Sequence, residues 1–229
     1  MAHDNEEIRS ETPDDNIFEI KDCALIAIAT GESAVTLKEF FNIINKITPA
    51  SIYHHFWGGL LLPRFEEREF NNDFASWAKR ELDDDKLAEQ LALISPTDFP
   101  DLESLRREII DVVMERMNEA SCLSWFPASS ALEFIRSRIV VFDTHVRVAE
   151  PRELGEIIPD LSPSTIFYHF IDARRRVAEG KDDFRAWLEN WEECSGLCEK
   201  LADLDPYFDT LNKLRSRIAA VFAEFFQGG

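Results

Sequence analysis

Basic residues are scarce in this chain of 229 residues. Lysine and arginine number 25 against 44 aspartates and glutamates, which gives a formal net charge of −19 at pH 7. An acidic surface of this kind repels a phosphate backbone, so we expect no nucleic-acid partner. The simplest role of the charge is to keep the protein in solution.

Long apolar runs are also lacking. No window of the sequence has enough consecutive apolar residues to cross a bilayer, so we expect no membrane partner. Residues 1–16, MAHDNEEIRSETPDDN, are polar and acidic, without the basic end or the apolar stretch of a secretory signal. They are predicted to form a flexible acidic tail, and the protein is predicted to be cytoplasmic.

Cysteines are few and are not spaced as metal ligands. The four are Cys23, Cys122, Cys194 and Cys198. The last two are four residues apart and continue an apolar helical stripe, which favours packed thiols over a redox pair. The sequence has no HExxH, GxSxG, phosphate-loop or dinucleotide-binding signature. We therefore predict no metal and no cofactor.

The sequence nevertheless repeats itself. ITPASIYHHF at residues 47–56 returns as LSPSTIFYHF at 161–170, which is 114 positions later. After a change of offset to 110, NDFASW at 72–77 matches DDFRAW at 182–187. Similarity over about a hundred residues with only short gaps predicts an internal duplication. The predicted organisation is the tail, a repeat at 17–117, a connector at 118–130, and a repeat at 131–229.

Each predicted repeat reads mostly as helix. Thr48-Pro49 and Ser162-Pro163 are typical helix starts, with proline in the first turn. Asp73 and Asp183 are read as N-caps of a later helix. With 45% hydrophobic residues the chain can bury a substantial core. The predicted fold is mainly α, with two tandem helical repeats packed as one pseudo-twofold bundle. Segments such as RIVVFDTHVRV (138–148) are rich in β-branched residues and suggest a small β element at the start of each repeat.

The order of these segments resembles a known family. The pattern SIYHHF…NDFASW…LAEQLALISP, and more closely STIFYHFIDARRRVAEGKDDFRAWL…LADLDPYFDTLNKLRSRI, is similar to a bacterial family catalogued as domain of unknown function 5752. The likeness covers nearly the whole chain except the acidic tail. It implies no reaction, ligand or catalytic residue. The first half departs from the second, because it is longer after YHHF and lacks the triple arginine.

His55 and His169 are the first candidate site residues. Each follows an isoleucine by three positions and adjoins a phenylalanine, so its ring is expected on the apolar face of a helix. A buried imidazole needs partners for both nitrogens, and Asp73 and Asp183 are plausible acceptors. The structural interpretation is a His–Asp clasp that braces two helices in each repeat. The functional interpretation is that these four residues form a catalytic centre or a metal site at the interface of the repeats.

His54 breaks the repeat, because its counterpart is Tyr168. Neighbouring residues on a helix diverge by about 100°, so His54 and His55 do not easily bind one ion. A metal site in the sequence YHH is therefore not expected.

The triple Arg174, Arg175 and Arg176 is the second candidate site. Its aligned counterpart is Leu60–Leu62, so the halves differ most at this place. A basic cluster could bind a small anionic ligand such as a sugar phosphate, and Tyr168 is added to the predicted ligand-binding set. The alternative is ion pairing with nearby acids. These acids are Asp172, Glu179, Asp182 and Asp183.

The segment Trp57–Phe65, WGGLLLPRF, is the apolar counterpart of the triple arginine. If exposed, it would bind a protein partner or form a homodimer interface; if covered by the second half, it is core. The function predicted from the sequence is a non-enzymatic binding or regulatory protein, with a ligand or partner between the repeats. The alternative is a His/Asp-based hydrolase-like enzyme, with or without a metal.

Overall fold

The computed structural model describes residues 16–61, 69–119, 125–207 and 210–227. Most of the predicted acidic tail, the residues Leu62 and Phe65 of the apolar segment, and Cys122 of the predicted connector lie outside these ranges. Within the described part, no helix is long and apolar enough to cross a membrane.

A long two-stranded antiparallel ribbon is the central element. Strand β1 spans Phe18–Ala34 and strand β2 spans Leu132–Val148, each with 17 residues. Phe18 lies opposite Val148, and Ala34 lies opposite Leu132. The prediction of a mainly helical bundle with a small β element is therefore wrong. The backbone N–H and C=O groups of the two strands hydrogen-bond to each other along almost their full length. The ribbon is therefore the scaffold on which the helices pack.

Each strand contains one register shift near a threonine. The Thr30 hydroxyl donates to the Phe134 carbonyl at 2.6 Å, and the Thr144 hydroxyl donates to the Ile20 carbonyl at 2.5 Å. Such bulges bend a strand and increase its twist. The twist lets helices pack against both ends of the ribbon.

Helices of the first half follow β1. A Thr36 capping box, in which Glu39 bonds back to the Thr36 amide, begins α1. Thr48 occupies the N-cap of α2 without a side-chain bond, so proline at the first position carries that start. The helices are α1 Leu37–Ile44, α2 Pro49–Trp57, α3 Asp73–Arg80, α4 Asp85–Ala92 and α5 Leu102–Glu119.

Helices of the second half follow β2. Ser162 caps α7 by accepting from the Thr165 amide. Helix α7 continues into a π-helical segment, Phe167–Asp172, a geometry often found at functional sites. The helices are α6 Pro151–Ile157, α7 Pro163–Ile166, α8 Ala173–Arg176, α9 Asp183–Leu188, α10 Ser195–Ala202 and α11 Leu211–Gln227.

The two halves exchange their strands. Helix α2 of the first half packs on β2, whereas α7 and the π-helical segment of the second half pack on β1. Phe134 of β2 contacts Phe74 of the first half at 6.3 Å between ring centroids, and Phe18 of β1 contacts Phe184 of the second half at 5.7 Å. One hydrophobic core therefore includes residues from both halves and both strands.

Candidate ligand cleft between the halves

His55 joins α2 of the first half to strand β2 of the second half. Its Nδ1 lies 3.1 Å from Oδ2 of Asp73, and its Nε2 accepts a hydrogen bond of 3.3 Å from the backbone amide of Ile135 in β2. An amide can only donate, so Nε2 carries no proton and Nδ1–H donates to the carboxylate. The ring is buried, with 3% of the residue exposed.

His169 makes the same two contacts in the second half. Its Nδ1 donates to Oδ2 of Asp183 at 2.8 Å, and its Nε2 accepts from the amide of Lys21 in β1 at 2.9 Å. The structure thus brings each histidine to the aspartate that the sequence indicates. Both nitrogens of each ring therefore have a hydrogen-bond partner within the protein.

The described residues do not gather a metal site. No group of three or more His, Cys, Asp or Glu in these ranges could hold a metal ion. His54 is bonded separately, with Nδ1 at 2.6 Å from the Ser137 hydroxyl. Burial, with the nearby His55 ring, lowers the pKa of His54.

The predicted N-caps are wrong by one residue. Asn72 caps α3 by accepting from the Ala75 amide, and Asp182 caps α9 by accepting from the Arg185 amide, each with its Oδ1. Because the caps are taken by the preceding residue, the side chains of Asp73 and Asp183 at the first helical position are directed to the histidines.

A buried carboxylate, in a role that its sequence position did not reveal, joins the halves. Asp172, at the end of the π-helical segment, is 1% exposed. Its Oδ1 accepts from the Tyr53 hydroxyl at 2.9 Å and from Arg175 Nη2 at 3.0 Å, while its Oδ2 accepts from Arg176 Nε at 2.8 Å. The available signal was its position three and four residues before the two arginines, where ion pairs form on a helix. Its aligned counterpart is Gly58.

This carboxylate also contributes to the pKa shifts of two buried neighbours. Burial and the charge of Asp172 raise the pKa of Tyr53 far above its usual value, so the hydroxyl remains a donor. Burial, with the nearby Asp22 and Asp172, raises the pKa of Cys23 to about 12. The Cys23 thiol is therefore protonated near neutrality and is not an activated nucleophile.

The three arginines of the predicted basic cluster make different contacts. Arg176 also donates to Asp183 at 3.0 Å and lies 4.1 Å from the ring centroid of Tyr168, so Tyr168 serves as a stacking partner inside the protein. Arg175 donates to Asp172 and lies over the Tyr53 ring. Arg174 donates to the Leu204 carbonyl at 3.3 Å, and its buried Nε has no partner among the described residues.

A cleft of about 480 Å³ opens where the halves meet. Trp57 of the first half and Tyr207 of the second join across it, because the indole Nε1 donates to the Tyr207 hydroxyl at 3.2 Å. Arg174 and Arg175 lie in its wall. The remaining lining comes largely from the 96–102 loop and from the 177–180 turn. The cleft therefore combines aromatic rings with guanidinium groups, as small-molecule sites often do.

The acids that line the cleft are mostly engaged. Asp101 caps α5 by accepting from the Ser104 amide, and Glu179 pairs with Lys181 at 2.7 Å. Arg175 pairs with Asp172, a carboxylate that it shares with Arg176. Arg174 differs from Arg175 in having a buried Nε without a hydrogen-bond partner among the described residues.

The apolar segment that begins at Trp57 belongs to the core where it is described. Trp57, Gly58 and Gly59 are buried, and Leu60 and Leu61 pack partly buried against the core. The described cysteines, Cys23, Cys194 and Cys198, are free thiols.

The burial of Asp182 predicts that the stability of the folded protein depends on pH. Burial raises its pKa to about 6, above the ordinary 3.8. A raised carboxyl pKa means that the folded state favours the protonated form, so this stabilisation is complete below about pH 4 and is lost as pH rises through 6. The difference corresponds to about 3 kcal/mol. We expect Asp182→Asn to be more stable than the wild type by up to that amount at pH 7.5, and equal to it at pH 4.

Denaturant unfolding at several pH values checks this prediction, and the first half provides a matched control. Asn72, the counterpart of Asp182, donates from Nδ2 to the Leu91 carbonyl at 2.9 Å. We expect Asn72→Asp to lose stability as pH rises, because a carboxylate would then face that carbonyl. Parallel curves for the wild type and Asp182→Asn would contradict the assignment.

The chain is similar in fold to OrfY from Thermoproteus tenax, with a TM-score of 0.80 and 24% identity over 93% of this chain and 97% of that one. No curated protein matches the sequence. A family model described as a family of unknown function, DUF5752, matches residues 15–223. The chain belongs to this family.

Proposed function

We propose that the protein is a non-enzymatic binding protein that holds a small anionic ligand in the cleft between its halves. The proposal rests on the surroundings of Arg174. This side chain lies in the wall of a cleft of about 480 Å³, and its buried Nε has no partner among the described residues. An unpaired buried donor marks a side chain whose charge the described residues do not fully compensate, and an anion bound in the cleft would pair with its guanidinium.

The chemistry of the wall supports an anion. A guanidinium group can bind carboxylate or phosphate oxygens through two parallel hydrogen bonds. The Arg174 guanidinium lies 4.8 Å from the ring centroid of Phe170, which holds it in place. Trp57 and Tyr207 offer rings against which the body of a ligand can pack. A sugar phosphate would combine these two chemical features.

The hydrolase-like alternative has less support. A catalytic base needs a nitrogen within reach of its substrate, whereas Nε2 of His55 and Nε2 of His169 each accept from a ribbon amide. Both rings are nearly inaccessible. These contacts favour the clasp as the role of the His–Asp pairs.

Thermal shifts across a panel of anions test the proposal. The panel contains sulfate, phosphate, simple carboxylates and sugar phosphates. We expect one anion class to raise the melting temperature of the wild type. Arg174→Leu, which introduces the residue of the first half, is expected to weaken that ligand about 10- to 100-fold, since a hydrogen bond to a charged group contributes about 1.5–3 kcal/mol.

Arg80→Leu is the matched control, because it makes the same change of charge at an exposed side chain in α3. It should keep the affinity of the wild type. Equal binding by the wild type and Arg174→Leu, or stabilisation by none of the anions, would contradict the proposal.

Three further expectations from the sequence remain proposals. The internal duplication is supported by contacts that recur at matched positions, such as the indole of Trp77 donating to the Ser130 carbonyl and the indole of Trp187 donating to the Asn16 carbonyl. A cytoplasmic location is supported by the free thiols of the described cysteines. A homodimer stays a prediction that sedimentation can check.

A further inference from the structure

Three charged side chains of the second half each leave a buried polar atom unsatisfied. Within the described ranges, Nε of Arg174, Oδ2 of Asp182 and Nε of Arg185 have no hydrogen-bond partner. Asp182 is fully buried, and both arginines act electrostatically on its carboxylate. Unsatisfied atoms of this kind call for an explanation, because nearly all buried polar groups are paired.

None of the three has a charged counterpart in the first half. At the aligned positions the first half has Leu60 for Arg174, Asn72 for Asp182 and Ala75 for Arg185. Asn72 makes a complete set of bonds through its amide, to the Leu91 carbonyl and the Asn71 side chain. The first half therefore caps the same helix without any charge. The charged cluster is a special feature of the half that supplies Arg174 to the cleft.

We propose that Asp182 controls the affinity of the cleft for its anion by competing with that anion for Arg174. The inference rests on the proposed function. When Asp182 is ionised, its carboxylate attracts the guanidinium away from the ligand. When Asp182 is protonated, the full charge of Arg174 is available to the anion, so binding takes up a proton.

The surroundings of Asp182 fit this role. The charges of Arg174 in α8 and Arg185 in α9 favour the ionised form of Asp182, and the Asp182 charge acts in turn on Cys198 in α10. Burial raises the pKa of Cys198, so this neighbour stays an uncharged thiol near neutrality. Burial likewise raises the pKa of Asp182 to about 6, so a modest change in its surroundings moves it between its two states.

Calorimetric titration with sulfate at pH 5 to 7.5 tests the inference, because the charge of sulfate is constant over this range. We expect the wild type to lose about tenfold in sulfate affinity as pH rises, since one proton is coupled to binding. Repeating the titration at pH 6.5 in two buffers of different ionisation enthalpy should show net proton uptake. Asp182→Asn should bind tightly throughout, with only the shallow slope that the overall charge produces.

Asp182→Ser, which also provides a helix cap, replaces Asp182→Asn if the latter is poorly folded. The inference is overturned if the variant keeps the pH profile of the wild type, or if the wild type takes up no proton. Both results would leave the proposed function standing when Arg174→Leu abolishes sulfate binding. If the wild type binds no sulfate at any pH, or if Arg174→Leu binds it equally, both the inference and the proposed function fail.

Discussion

Asp172→Ala is expected to lower the free energy of unfolding by about 4 kcal/mol, because breaking a buried ion pair leaves its partners without compensation. The carboxylate is fully buried and accepts from Tyr53, Arg175 and Arg176. It is also a direct bond between the halves, since Tyr53 lies in α2 and Asp172 ends the π-helical segment. Urea unfolding monitored by tryptophan fluorescence measures the loss.

Tyr53→Phe provides the graded control for this prediction. The second half has Phe167 at the aligned position, so a phenylalanine ring is compatible with the fold. The variant removes one donor and leaves both arginines on Asp172, and we expect a loss of about 1 kcal/mol. A loss of less than about 1 kcal/mol for Asp172→Ala would show that the network contributes little, as exposed pairs do.

His55→Ala and His169→Ala are each expected to cost about 3 kcal/mol of stability. Each substitution leaves a ribbon amide without its acceptor, at Ile135 or Lys21, and opens a cavity under the ribbon. The two losses should be similar, because the contacts of the two rings are the same. Chemical denaturation of both variants measures them.

The same variants separate a clasp from a catalytic or ligand-binding role. Glutamine can keep one of the two hydrogen bonds, so His169→Gln should recover part of the stability. Anion binding by the folded fraction should be unchanged in all of them. A histidine variant of normal stability that has lost anion binding would show that the ring belongs to the site.

Sequence reasoning found the local pairings. Asp73 follows His55 by 18 residues, whereas Asp183 follows His169 by 14, because the first half is longer after YHHF. The recurrence of both residues in each half, rather than a fixed spacing, indicated the partners, and the structure brings each histidine to its aspartate. The Thr-Pro and Ser-Pro starts also lie where helices begin.

The ribbon could not be read in the same way. Strand β1 has the sequence FEIKDCALIAIATGESA, in which alanine is frequent and the alternation is broken at the register shifts. Strand β2 is richer than β1 in the β-branched residues that favour a strand. The pairing joins segments that lie about a hundred residues apart in the sequence. A local sequence pattern does not show whether a strand packs against the helices of its own half or of the other half. The mainly helical prediction failed for this reason.

The cleft was only partly foreseeable. The three consecutive arginines indicated where an anion could bind. In the structure, Arg175 and Arg176 both donate to Asp172, whereas the buried Nε of Arg174 has no partner among the described residues. That division depends on the direction that each side chain takes after the π-helical segment, which the run of three arginines in the sequence does not give. The aromatic pair Trp57 and Tyr207 comes from opposite halves, so only the packed structure brings it together.

A crystal structure grown with selenate, the heavier analogue of sulfate, tests the central claim most directly. Anomalous scattering reveals the positions of the selenium atoms. Crystals of Arg174→Leu grown in the same way show which of these positions depend on Arg174. We predict an anomalous peak in the cleft within hydrogen-bond distance of the Arg174 guanidinium, absent from the variant. Peaks confined to exposed lysines and arginines elsewhere, with no difference between the two proteins, would contradict it.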